Sequence, residues 1–134
     1  MVYRILLLED EPLILMDLEY AAQDCGCETF TAASVSEALA LIADQAHNLT
    51  VAVLDVSLGE GATCFEVARE LDRLRIPYIL HSGDLDRHDE RVRELKAQLI
   101  AKPASAGKVV AAAIACAMGQ DPGRVRLAAE QRGE

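Results

Sequence analysis

The chain has 134 residues, of which 51% are hydrophobic and 26% charged, which fits a single domain able to bury roughly two-thirds of its unfolded surface. Its formal net charge of -9 argues against nucleic acid as a partner, because phosphate backbones demand clustered Lys and Arg. No apolar stretch reaches the ~20 residues of a membrane span, and the N-terminus around Arg4 is not a signal peptide; a cytoplasmic location is expected.

Val2 to Leu8 is an apolar run ending at Glu9-Asp10 and reads as a first strand. Pro12 is placed to open a helix, in which Ile14, Leu18, Ala21, Ala22 and Cys25 recur at helical spacing before Gly26 stops it. Cys27 to Ala32 makes a weaker second strand at the sheet edge. Ser34-Val35-Ser36-Glu37 is a capping box for a helix through about Asp44. Val51 to Asp55 is the third strand, followed by a flexible Gly59-Glu60-Gly61 loop. Phe65, Val67, Ala68, Leu71 and Leu74 stripe the third helix. Pro77 precedes a fourth strand that runs into His81-Ser82.

Residues 84–96 form a fourth helix dense in charge, anchored only by Leu85, Val92 and Leu95; little apolar burial implies marginal local stability. Leu99 to Ala101 is a fifth strand ending at Lys102-Pro103. Val110, Ile114, Ala117 and Met118 then stripe an Ala-rich final helix. Residues 1–118 make one domain, with 119–134 as a C-terminal tail. Cys25, Cys27, Cys64 and Cys116 lack the spacing of a structural zinc site and read as reduced structural thiols.

Strand and helix alternate five times, which predicts an α/β, doubly wound five-stranded parallel sheet with helices on both faces. Carboxyl ends of parallel strands share one edge, where ligands bind. Glu9, Asp10, Asp55, Ser82 and Lys102 therefore gather there. A carboxylate such as Asp55 can attack phosphorus to give an acyl phosphate. Crowding it with Glu9 and Asp10 is costly without a cation, and Mg2+ suits such hard oxygen donors. The Lys102 ammonium and the Ser82 hydroxyl can meet the phosphoryl oxygens the metal does not reach. His81, next to Ser82 on a strand, points to the opposite face.

Leu8-Glu9-Asp10-Glu11, Leu54-Asp55, Ser82-Gly83 and Lys102-Pro103, each after its strand, make residues 2 to about 118 resemble the response-regulator receiver domains of two-component signalling. The resemblance implies a flavodoxin-like sheet of order 2-1-3-4-5 and a cis Lys102-Pro103 bond. It implies that Asp55 accepts a phosphoryl group from a histidine kinase or phosphotransfer protein. Asp10, Asp55 and the Ser57 backbone carbonyl would ligate Mg2+ (or Mn2+), with Glu9 acting through water and Ser82 and Lys102 on the phosphoryl group. The expected protein is a stand-alone receiver that switches binding to a downstream protein target, or relays phosphoryl groups, and not a turnover enzyme. No nucleic acid or membrane partner is expected.

Three features depart from the family pattern: Leu99 replaces the aromatic common three residues before the Lys, the Ser57-Leu58-Gly59-Glu60-Gly61 loop after Asp55 lacks the usual Met-Pro, and the fourth helix at residues 84–96 is unusually polar. Two other readings compete. A phosphatase of the haloacid dehalogenase type uses a similar inventory, but its nucleophilic Asp follows the first strand in an Asp-x-Asp motif, which Asp55-Val56-Ser57 lacks. An unphosphorylated pseudo-receiver would not need Asp10, Asp55, Ser82 and Lys102 together.

Overall fold

A computed structural model describes residues 2–83 and 89–119. The expected tail from residue 120 onward, and residues 84–88 of the expected fourth helix, lie outside them. Five strands, β1 (Arg4–Leu8), β2 (Glu28–Ala32), β3 (Val51–Asp55), β4 (Tyr78–Ser82) and β5 (Leu99–Ala101), alternate with α1 (Pro12–Asp24), α2 (Val35–Gln45), α3 (Phe65–Arg73), α4 (Glu90–Glu94) and α5 (Ala106–Ala117). The sheet is parallel throughout, in the order β2-β1-β3-β4-β5, as the resemblance implied.

Side chains alternate across a strand, so continuous apolar runs feed two cores. Leu6, Leu8, Ala52, Leu54 and Leu80 pack with Ala38 and Ile42 of α2 and Val67, Ala68 and Leu71 of α3. Ile5, Leu7, Val51, Val53 and Ile79 pack with Leu18 and Ala22 of α1 and Val109, Val110 and Ala113 of α5. Truncating a fully buried residue such as Leu54 to Ala costs about 2–5 kcal/mol. Among the described residues no helix is long and apolar enough to cross a membrane.

Local signals place the elements. Pro12 opens α1, which ends at Asp24 with Cys25 as its C-cap, before Gly26 takes φ +81°. Ser34 caps α2, its side chain accepting from the Glu37 backbone N–H at 3.2 Å. The first strand begins at Arg4, not Val2, because Tyr3 contributes only its carbonyl, accepting from Glu28 N–H at 2.9 Å. In α5 the buried stripe is Val109, Val110, Ala113 and Cys116; Met118 is half exposed. An almost uniformly apolar helix does not announce its inner face. The described part of α4 is five residues capped by Asp89, with Val92 buried and the Arg91 guanidinium 4.6 Å from the Phe65 ring centre.

Candidate functional site

The register Leu8↔Leu54 and Leu54↔Leu80 levels β1, β3 and β4, so their carboxyl ends share one rim. Asp55 is the last residue of β3 and Ser82 the last of β4, while Glu9-Asp10 follow β1 and Lys102 follows β5. Strand pairing continues past the ends: Glu9 N–H donates to Ala32 O at 3.1 Å, and Lys102 N–H to Ser82 O at 2.7 Å. The Lys102-Pro103 peptide is cis.

At this rim Glu9, Asp55 and Ser82 are all buried. Carboxylate oxygens of Glu9, Asp10 and Asp55 lie within 4.8 Å of one another. One ammonium serves two of them: Lys102 Nζ is 3.2 Å from Glu9 Oε2 and 3.3 Å from Asp55 Oδ1. The other Glu9 oxygen accepts from Glu11 N–H at 3.2 Å, which fixes the carboxylate. Ser82 Oγ donates to Gly83 O at 3.1 Å.

The electrostatics follow from burial. Asp55 is pushed up to about 8, first by desolvation and then by the Glu9 carboxyl, with Lys102 opposing. For Lys102 burial is the largest single influence and pulls down, but Asp55 and Glu9 together outweigh it and the ammonium is held above its ordinary value. Glu9 Oε2 has the Lys102 ion pair yet no hydrogen bond among the described residues. Three clustered carboxylates of hard oxygen, one with such an atom, fit a hexacoordinate cation such as Mg2+ or Mn2+; Glu9, Asp10 and Asp55 could hold it.

Ser57 lies two residues beyond Asp55 and bridges Thr63 across a tight loop, closed by Leu58 N–H to Ala62 O and Ala62 N–H to Gly59 O, both 2.9 Å. Gly59, Glu60 and Gly61 all have positive φ, at 77°, 51° and 79°. A Cβ on Gly59 would stand 3.2 Å from Asp10 Oδ2. The closeness of that glycine to Asp10 is a feature the sequence signals only as a flexible loop. His81 aligns with Asp55 in the β3–β4 register and faces the α1–α5 side, away from Ser82. It is buried, and its pKa is lowered to about 4, by desolvation first and Lys102 second.

No family model matches the chain, and no curated protein does. Solved structures do. A response regulator receiver domain protein from Clostridium thermocellum superposes with TM-score 0.74 at 24% identity, over 94% of this chain and 98% of that one. SdrG from Sphingomonas melonis Fr1 is 33% identical, with TM-score 0.71, over 87% of this chain and 97% of its own. The receiver domain of NtrX from Brucella abortus is 26% identical, with TM-score 0.72, over 85% and 98%. The first likeness shows the fold; with the higher identity to SdrG, the strand order and the acidic rim, the chain belongs to the response-regulator receiver domains of two-component signal transduction.

Proposed function

We propose that Asp55 is the phosphoryl acceptor, that the donor is a phosphohistidine on a histidine kinase or phosphotransfer protein, and that the acceptance switches binding to a downstream protein. The observation behind it is the shared ammonium: Lys102 lies 3.3 Å from Asp55 inside a cluster of three acids. An Asp55 oxygen attacks phosphorus in line, and the bond from phosphorus to the donor's imidazole breaks as the acyl phosphate forms. A divalent cation held by Asp10, Asp55 and the Ser57 carbonyl, with Glu9 through water, would neutralise charge on the transferring group. Lys102 follows the new charge, exchanging its Asp55 contact for a phosphoryl oxygen, and the Ser82 hydroxyl turns from Gly83 O to donate to another. Those contacts differ between the two forms, which is what a switch requires.

A cytoplasmic place of action suits the four free cysteines, three of them buried. The direct test incubates the protein with Mg2+ and acetyl phosphate and reads the intact mass. One added phosphoryl group is expected, lost with Asp55→Asn and with EDTA. A label that persists in Asp55→Asn overturns the assignment; steady turnover of small phosphate esters would favour the phosphatase instead.

A further inference from the structure

The solvent side of α1 carries an apolar stripe. Leu13, Met16 and Tyr20, spaced by three and four residues, share the face opposite buried Leu18 and Ala22 and are 72%, 40% and 57% exposed. Contiguous apolar surface of this kind on a folded domain marks a contact site. The same helix carries Asp17, Glu19 and Asp24 and no Lys or Arg. Asp17 and Asp24, two turns apart on the flank toward α5, are exposed and have neither hydrogen bond nor ion pair among the described residues. Asp24 also closes the last turn, where the helix dipole favours a cation and α1 supplies none. An occupant of this face therefore brings apolar side chains flanked by positive charge.

We propose that the occupant is the chain's own segment 124–132, with Val125 and Leu127 on the apolar stripe and Arg124 and Arg126 toward Asp17 and Asp24. The topology brings the two together. Cys116 Sγ lies 3.9 Å from the carbonyl of Tyr78, the first residue of β4, so α5 ends at the sheet edge opposite the acid rim. The end of α1 lies at that same edge, before β2, and both helices pack on one face of the sheet. Gly119, at φ +77°, turns the chain off the axis of α5. Residues 119–123 can reach about 16 Å, more than the ~8–10 Å between packed helix axes. The 13 residues of α1 span about 20 Å, a length that residues 124–132 can cover. Charge selects among occupants: a second copy presents the same acids to Asp17 and Asp24, and an anionic lipid surface is repelled by them. A tethered segment also acts at an effective concentration near millimolar, so weak contacts suffice.

The test is amide NMR on the full chain. Order parameters at residues 125–130 should be about 0.8, against values below ~0.6 for a flexible segment. Leu127→Asp should return them to the flexible range and shift the Met16, Tyr20 and Asp24 amides. Tyr20→Ser, at an exposed position, should release the segment in the same way. Asp24→Arg should lower the docked population roughly two- to fivefold, the range of an exposed charge contact. Adding Arg124→Glu and Arg126→Glu to Asp24→Arg should restore it. Flexible values throughout the wild type, α1 amides unmoved by Leu127→Asp, order that survives Tyr20→Ser, or no restoration by the exchanged charges would each overturn the proposal. Ordering that grows with protein concentration from micromolar to millimolar would overturn it too, by identifying a second copy as the occupant. No arm involves phosphoryl transfer, so the result is independent of the role of Asp55.

Discussion

Asp55 and Glu9 are two buried carboxylates facing a single ammonium. Like charges held this closely destabilise the fold until a cation joins them. Replacing Asp55 by Asn should therefore stabilise the cation-free protein, by about 1–3 kcal/mol at pH 8. The sign follows from its raised pKa, caused mainly by burial and then by Glu9. The unfolded carboxyl ionises near 3.8, so the folded form is progressively disfavoured as pH climbs toward about 8. The advantage of Asp55→Asn should thus be larger at pH 8 than at pH 5. Thermal melts in EDTA test this, and adding millimolar Mg2+ should raise the wild-type midpoint more than the variant's, because only a state that binds the cation gains from it. A destabilised variant at pH 8 in EDTA would contradict the repulsive picture. The acids at this rim were legible because each ends an apolar run. The shared bond of Lys102 to Glu9 was not, since strand ends locate a residue without saying which neighbour its side chain chooses.

The loop of residues 57–63 shows what an element adds to its residues. Gly59 and Gly61 both hold positive φ, but only Gly59 has a close neighbour, the Asp10 carboxylate. Alanine at either should cost about 1 kcal/mol in backbone strain. Gly59→Ala should in addition displace Asp10 and weaken the stabilisation given by Mg2+ severalfold, while Gly61→Ala should leave it unchanged. Paired Mg2+ titrations followed by thermal melts distinguish them, and equal affinities would show that the Asp10 contact is immaterial. The helices were unequally legible from sequence. In α3 charged residues alternate with Phe65, Val67, Ala68 and Leu71, and those four are the buried ones. In α5 alanines and valines surround the axis, so the periodicity fits several faces and only packing against α1 and the sheet chooses Val109, Ala113 and Cys116.

For the molecule as a whole, His81 sets a dependence on acid. Its pKa falls from 6.5 to about 4 on folding, through burial and then Lys102. The unfolded state therefore binds more protons between those values, and stability is complete above pH 6.5 and lost as pH falls toward 4. The contribution is on the order of 3 kcal/mol. His81→Leu should be relatively more stable the lower the pH, and urea midpoints at pH 4.5 and 7 measure it. Taking the difference between the two proteins cancels the contribution of Asp55, which has the opposite sign; a difference that does not change with pH would refute it. The layered architecture was legible because the strand and helix signals alternate without interruption, whereas the side-by-side order of the strands came from likeness to a family.

Both lateral margins of the sheet are poor templates for another chain. On one side β5 has only three residues and runs into Pro103, which has no N–H to offer. On the other, β2 opens with exposed Glu28 tied to Arg4 at 2.9 Å. Short, charged or proline-blocked borders resist strand addition and the fibrous association it starts. Leu13, Met16 and Tyr20, by contrast, stand exposed along α1. Those exposed apolar side chains thus lie on a helix rather than on either sheet border.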